Sequence, residues 1–185
     1  MKKNDFQFHV ILTGGTIDSH YDPTRDTAVP NDKSVIPSFT EGLKLYNKIK
    51  FTEICMKDSR DITLNDQKNI LKILENSPCL KVLITHGTYT MPDTARYLEA
   101  NLKRKDQTII LTGSMIPLQG FSPSDAPFNL GYSFAQLEYL KKGIYVYSMD
   151  LSGMKTGVYF YRCSFNGEEK IKKMLCLLFN IQTGV

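Results

Sequence analysis

Three apolar runs of this chain end in the same way, with a glycine followed by a hydroxyl side chain. The runs are residues 10–18, 82–88 and 109–114. Short, nearly continuous apolar runs of this kind are typical of strands buried in a parallel sheet. The carboxyl ends of parallel strands lie along one edge, where ligands bind, and glycine lets the backbone turn there and approach a ligand closely. The pattern therefore predicts that the hydroxyls of Thr16, Thr88 and Ser114 meet in one crevice suited to nucleophilic chemistry.

Strand and helix patterns alternate along the chain. Strands are predicted at residues 8–13, 51–56, 81–85, 108–112 and 143–147, and helices at 35–46, 63–74, 92–102 and 125–140. Buried strands that alternate with amphipathic helices are typical of an α/β fold. The chain has 185 residues, which is enough for one domain with a substantial core. We therefore expect a single-domain open parallel sheet with helices on both faces.

Two segments show no apolar period. Residues 19–37 are polar and contain three prolines, which predicts a long loop beside Thr16 and therefore a candidate lid. Residues 149–185 form a tail of uncertain structure after a domain at 1–148. The apolar cluster at 174–179 is open to three interpretations: a docked terminal helix, a covered oligomer face, or an altered reading frame.

Composition excludes several function classes. The net charge of +4 is modest and its basic residues are scattered, which argues against nucleic-acid binding. No apolar run is long enough to span a bilayer, and the amino terminus does not resemble a signal peptide. Four cysteines and three histidines lack the spacing of a metal site or of a disulfide framework. We therefore expect a cytoplasmic protein without a membrane partner or a bound metal.

Four motifs, each after an apolar strand, carry a family resemblance. They are residues 13–17, 57–59, 85–88, and 113–115 followed by 125–130. In this order they resemble the amino-terminal domain of the bacterial-type L-asparaginase family, which includes glutaminase-asparaginases. The resemblance covers residues 8–148 and implies a compact relative, because family members usually carry a second, carboxy-terminal domain.

The resemblance implies hydrolysis of the side-chain amide of a small amino acid, without a metal or cofactor. Thr16 corresponds to the nucleophile, which forms a covalent acyl intermediate. Thr88 corresponds to a second threonine, which positions the attacking water or polarises the amide. Tyr21, the only tyrosine in 19–37, corresponds to the lid tyrosine that helps to activate the nucleophile. From the residues alone, Thr16 could also be a turn cap, and Tyr21 could also be an aromatic side chain packed on the sheet edge.

Substrate contacts are implied at further positions. Asp58 and Ser59 correspond to the position that holds the substrate α-carboxylate, and Ser114 to the one that lines its amide. Arg60 could clamp a carboxylate through its planar fork of donors, or it could be a solvated surface arginine. The family usually has an aspartate after the second threonine, where it grips the α-ammonium. Here that position is Tyr89, which carries no charge at pH 7.

The family also has a lysine after the last strand of the domain, and this chain does not align with it. Lys155 lies about five residues too close to the strand end, whereas Arg162 and Cys163 lie nearer the expected place. These departures keep three functions open. The chain is an amidohydrolase, a catalytically weak or inactive amino-acid or carboxylate-binding module, or a subunit whose site another chain completes. A basic group near Thr88 favours the enzyme, and a homodimer is expected because the family builds its sites near subunit interfaces.

Overall fold

The computed structural model describes residues 5–147, 157–165 and 168–176, with the last two ranges described as backbone strands only. In chain order the elements are strands β1 (Phe8–Gly14), β2 (Ser19–Asp22), β3 (Thr27–Pro30), β4 (Ile49–Lys57), β5 (Lys81–Thr85), β6 (Thr108–Thr112), β7 (Gly143–Tyr147), β8 (Gly157–Phe165) and β9 (Glu168–Cys176), and helices α1 (Ile36–Gly42), α2 (Leu64–Asn76), α3 (Met91–Asn101) and α4 (Ala126–Tyr139). Five strands form a sheet in the order β4-β1-β5-β6-β7, and every neighbouring pair is parallel. The predicted strands and the predicted α/β fold class are confirmed.

The sheet is covered on both faces because successive side chains of a strand point to opposite sides. Val10 and Leu12 of β1 belong to one buried cluster, which includes residues of α1 and α4. Ile11, between them, belongs to a second cluster with residues of α2 and α3. The near-continuous apolar run of β1 therefore results from burial on two sides.

The helix predicted from Thr63 begins where the sequence indicates. The Thr63 hydroxyl accepts the backbone N–H of Asp66, and the Asp66 carboxylate accepts the backbone N–H of Thr63. This reciprocal capping box satisfies two donors that the first helical turn leaves without partners. The Asp66 carboxylate also accepts the Lys57 ammonium at 2.7 Å, which links the start of α2 to the end of β4.

Two predictions from the first fifty residues are corrected. The helix expected at 35–46 ends at Gly42, and the side chains of Leu43 and Tyr46 are exposed instead of completing an apolar stripe. The segment 19–37, expected to be an irregular loop, contains the antiparallel hairpin β2–β3. Its turn is stabilised locally, because the Asp22 carboxylate accepts both the N–H and the hydroxyl of Thr24.

The chain divides into two compact units, 1–149 and 150–185. In the second unit β8 pairs with β9 in antiparallel register. A terminal helix at 174–179 is wrong for Met174–Cys176, which belong to β9, while 177–179 lie outside the described residues. Lys155 also lies outside them, and Arg162 and Cys163 lie on β8. Within the described ranges, no helix has both the length and the apolar character needed to cross a membrane.

Candidate active site

The direction in which the chain adds strands to the sheet reverses between β1 and β5. From β1 the chain passes to β4 on one side, and it then returns across β1 to β5 on the other. Open α/β sheets bind ligands outside the carboxyl ends of their strands at such a reversal. The ends are level, since Leu12 pairs with Thr85 and Thr85 pairs with Thr112. Thr16 and Thr88 follow the two strands that flank the reversal, at the same edge of the sheet.

Glycine turns bring the loops after these strands into direct contact. Gly15 has φ +81°, and a Cβ added to it would lie 2.4 Å from the backbone N of Gly87. A Cβ added to Gly87 would lie 2.6 Å from the Cβ of Ser59. Heavy atoms cannot approach so closely, so only glycine fits at either position. The loops carrying Thr16, Ser59 and Thr88 are thereby held against one another.

The hydroxyls of Thr16 and Thr88 have few hydrogen-bond partners within the described residues. Both Thr16 and Thr88 are half-buried. Among the described residues the Thr16 hydroxyl has no hydrogen-bond partner, and the Thr88 hydroxyl contacts only the Met115 sulfur, at 3.6 Å. In contrast, the buried Thr13 hydroxyl donates to the Thr85 carbonyl oxygen at 2.7 Å. Thr13 therefore has a structural role, while Thr16 and Thr88 are available to a ligand.

Asp58 and Ser59 lie at the end of β4. The Asp58 carboxylate accepts the backbone N–H of Arg60 at 2.9 Å and so caps the short 3-10 turn Ser59–Asp61. Ser59 is buried beneath the Gly87 turn, and its carbonyl oxygen accepts the Thr90 hydroxyl at 2.6 Å. This hydrogen bond ties the loop after β4 to the loop after β5, which fixes the relative position of Ser59 and Thr88.

Ser114 lies at the expected strand end but is turned into the protein. Its side chain is 1% exposed, and its hydroxyl donates to the Ile116 carbonyl oxygen at 2.6 Å. The Asp125 carboxylate accepts the backbone N–H groups of Met115 and Ile116, each at 3.0 Å. Ser114 therefore shapes the loop after β6, and the next two side chains, those of Met115 and Ile116, are exposed.

Tyr21 and Tyr89 both face solvent. Tyr89 is 75% exposed, with the Arg60 guanidinium 5.4 Å from its ring centroid. The Tyr21 hydroxyl donates to the Asp26 carboxylate, and this hydrogen bond raises the pKa of Tyr21. Tyr21 also lines a groove of about 420 Å³ between the hairpin and the loop after β6. Thr16, Ser59 and Thr88 do not line this groove, and no hydrogen bond joins Tyr21 to Thr16.

His86, to which the sequence patterns assign no role, supports the Thr88 loop from inside. Its Nδ1 donates to the Gly87 carbonyl oxygen at 2.8 Å, because a carbonyl oxygen can only accept. Its Nε2 therefore accepts the Thr94 hydroxyl, at 3.0 Å, and the Thr94 oxygen accepts from Gln67. Burial lowers the pKa of His86, which agrees with the neutral ring that this chain of hydrogen bonds requires. Its position between a buried strand and a glycine turn was the available signal.

Asp18 is a second residue to which the sequence patterns assign no role. It is fully buried two positions after Thr16, and its carboxylate accepts the Ser34 hydroxyl and the Val35 backbone N–H. Burial raises its pKa. These contacts attach the turn that carries Thr16 to the start of α1, so Asp18 positions the loop and does not face a ligand.

Comparison with known proteins agrees with this fold. A family model described as "Asparaginase, N-terminal" matches residues 7–151. L-asparaginase 2 of Escherichia coli (strain K12) is 30% identical over 127 residues, which are 65% of this chain and 36% of that protein.

Two solved structures are similar in fold as well as in sequence. The thermostable L-asparaginase from Thermococcus kodakarensis superposes with a TM-score of 0.65 at 27% identity, over 76% of this chain and 43% of that one. A probable cytoplasmic L-asparaginase from Campylobacter jejuni gives a TM-score of 0.65 at 26% identity, over 76% and 45%. The chain thus spans less than half the length of these relatives. It belongs to the asparaginase family, and residues 7–151 match the amino-terminal domain of that family.

Proposed function

We propose that the chain is an asparaginase-like amidohydrolase that uses Thr16 as its nucleophile. The observation that carries the proposal is the pair of available hydroxyls, Thr16 and Thr88, on the loops that flank the strand reversal. The relatives are named L-asparaginases, which supports the side-chain amide of a small amino acid as the substrate. The reaction needs neither a metal nor a cofactor.

In the proposed reaction the Thr16 oxygen attacks the amide carbonyl carbon. The tetrahedral intermediate expels ammonia, whose nitrogen takes up one proton, and leaves an acyl ester on Thr16. A water positioned by Thr88 then attacks the ester and releases the carboxylate product. Within the described chain, the backbone N–H groups of Thr16 and Thr88 donate to no other residue, so we assign them to the developing oxyanion.

Activation of Thr16 is assigned to Tyr21. In the structure the Tyr21 hydroxyl donates to Asp26, and that hydrogen bond raises the pKa of Tyr21, so the phenol keeps its proton in this position. We therefore propose that Tyr21 leaves Asp26 as the hairpin closes over the crevice, accepts the Thr16 proton and gives its own phenolic proton to the departing ammonia. Closure of loops over a bound substrate is a common way to complete a catalytic site.

The substrate is proposed to bind across the loops after β4, β5 and β6. Ser59 and the Asp58 turn hold its carboxylate, and Tyr89 occupies the position beside its α-carbon. Ser114 acts by holding the loop that presents Met115 to the amide, since its own hydroxyl is already used.

A second candidate function is a binding module that holds an amino acid or carboxylate with little or no catalysis. One observation favours it. In the described part of the chain, no ionisable side chain lies within hydrogen-bond distance of the Thr88 hydroxyl, whose sole contact is a sulfur. Lys155, which is about five residues too close to the strand end to match the family lysine, lies outside that part.

Ammonia release separates the two functions. Purified protein is incubated with L-asparagine and with L-glutamine, beside Thr16→Val and the matched control Thr112→Val. The amidohydrolase proposal expects ammonia from the wild type and from Thr112→Val, but not from Thr16→Val. Heat of binding without ammonia release would support the binding module and reject the enzyme.

We also propose that the protein acts as a cytoplasmic homodimer, without a nucleic-acid or membrane partner. Sedimentation equilibrium of the full chain tests the assembly. A mass that stays at one chain across micromolar concentrations would reject the dimer, and fractionation of the producing cell would test the location.

A further inference from the structure

The positively charged side chain of Arg60 lies at the rim of the crevice, between two of its loops. Arg60 belongs to the 3-10 turn after β4, directly after Ser59. Its guanidinium carbon lies 5.4 Å from the centroid of the Tyr89 ring, and Tyr89 directly follows Thr88. A guanidinium at this distance from an aromatic face is attracted by the ring quadrupole. The ring therefore favours one position of an otherwise mobile side chain.

The donors of Arg60 are available to a ligand. Its closest ion contact joins Nε to the Asp58 carboxylate at 3.7 Å, which is too long for a hydrogen bond. Among the described residues no acceptor engages its two Nη groups, and the side chain is 74% exposed. Two parallel N–H donors of this kind match the two oxygens of a carboxylate.

A matching anion for a substrate ammonium is lacking on the loop after β5. Residues 87–90 contain no acid, and Asp93, the next along the chain, is paired with Arg96 on α3. Asp58 already accepts the backbone N–H of Arg60 and lies beside its guanidinium. The loop after β5 therefore offers no anion to a substrate ammonium, whereas Arg60 on the loop after β4 offers free donors to a carboxylate.

We propose that Arg60, held by Tyr89, selects a small amide that carries a carboxylate but no α-ammonium. The inference rests on the proposed function, which supplies the amide hydrolysis. It adds that the substrate is a carboxylic acid without an α-ammonium group. Succinamate, the monoamide of succinic acid, is the simplest probe. It differs from L-asparagine only by the missing ammonium, so the two ligands form a matched pair.

Isothermal titration calorimetry of the full chain tests the selection. Titrations use Thr16→Val, so that hydrolysis does not contribute heat. Succinamate is expected to bind about tenfold more tightly than L-asparagine, because the ammonium of L-asparagine would lose hydration without gaining an anionic partner. Equal or tighter binding of L-asparagine would overturn the inference and would leave the amidohydrolase proposal intact. Absence of ammonia release would reject the enzyme, while the binding preference would still decide the inference.

Two pairs of variants, each made in the Thr16→Val background, assign the effect to these residues. Arg60→Gln should weaken succinamate binding about ten- to a hundredfold, whereas Arg96→Gln, an equally exposed loss of one charge on α3, should leave it unchanged. Tyr89→Leu should weaken binding about two- to fivefold through loss of the aromatic face, and Tyr89→Phe should lose less. Equal losses in the two arginine variants would show a bulk charge effect and overturn the inference.

Discussion

Threonines at the end of the sheet fall into two sets with opposite surroundings. Thr13, Thr85 and Thr112 are the inner set, and all three are almost completely buried. Thr16 and Thr88 are the outer set, three positions further along the chain, and both are half-buried. The inner hydroxyls face protein, and the outer ones face the crevice, although the residue type is the same.

The difference arises from the residues between the two sets. Gly14 and Gly15, both with positive φ, turn the chain over the sheet edge before Thr16. His86 and Gly87 perform the same step before Thr88, with the buried imidazole holding the Gly87 carbonyl. After β6 a single glycine separates Thr112 from Ser114, and that hydroxyl stays inside. The outer hydroxyl is therefore partly exposed where two residues separate it from the inner threonine, and it is buried where one residue separates them.

The largest effect is expected from removal of the outer hydroxyl at Thr16. Thr16→Val should lower the rate of amide hydrolysis at least about 1,000-fold, since loss of a nucleophile removes the acyl-enzyme route. The free energy of unfolding should change little, because that hydroxyl has no partner among the described residues. Steady-state ammonia release and urea unfolding measure the two quantities. Hydrolysis at the wild-type rate would place the nucleophile elsewhere.

Acid should lower the free energy of unfolding through His9, which is buried in the sheet. The ring of His9 is buried between the hydroxyls of Ser77 and Thr52. This burial, together with nearby Lys50, lowers the pKa of His9 to about 4. The unfolded chain binds the proton near its ordinary pKa of about 6.5. The neutral His9 ring therefore makes its full contribution to the free energy of unfolding above pH 6.5. That contribution, about 3 kcal/mol, is lost as the pH falls toward 4.

Urea midpoints measured between pH 7 and pH 4 check this expectation. His9→Gln, which removes the titrating ring, should flatten the profile, and His86 should leave a residual slope of the same sign, since burial lowers its pKa as well. A profile that His9→Gln leaves unchanged would assign the acid sensitivity to other groups.

The sequence identifies the sheet, and the edge at which Thr16 and Thr88 lie, more reliably than it identifies side-chain direction. The apolar runs predict all five parallel strands, because burial on two faces leaves a continuous pattern. The turn after β6 resembles the others in sequence, yet the direction of Ser114 depends on the Ile116 carbonyl, a contact within the folded loop. The hairpin at 19–37 was missed because its strands are short and only Ser19 among their residues is buried, so burial leaves little apolar alternation.

The glycine between the two sets provides the next test. Gly15 has φ +81° and ψ 179°, a conformation that is almost restricted to glycine. Gly15→Ala also forces a Cβ against the Gly87 backbone, so we expect a loss of about 2–3 kcal/mol of stability. Gly131→Ala is the matched control, because that helical position has open space and alanine favours a helix by up to about 1 kcal/mol. Equal effects of the two substitutions would contradict the close approach of the loops.

Beyond the outer set, Tyr89 stands where the family usually has an aspartate. Tyr89→Asp should supply an anion for the substrate ammonium and raise kcat/KM for L-asparagine about ten- to a hundredfold. The same change should weaken succinamate binding, since it adds a negative charge near the ligand carboxylate. Steady-state kinetics and calorimetry check the two directions. Unchanged asparagine kinetics in a folded variant would show that Tyr89 does not occupy the ammonium position.

The smallest effect separates members of the inner set from each other. The Thr112 hydroxyl is buried without a hydrogen-bond partner among the described residues, while the Thr13 hydroxyl donates to the Thr85 carbonyl. Thr112→Val should therefore be neutral or stabilising by up to about 1 kcal/mol, and Thr13→Val should destabilise by about 1 kcal/mol or more. Urea midpoints at constant m-value measure both changes. If Thr112→Val is as destabilising as Thr13→Val, the Thr112 hydroxyl has a partner such as a buried water, and Thr13 and Thr112 do not differ in this respect.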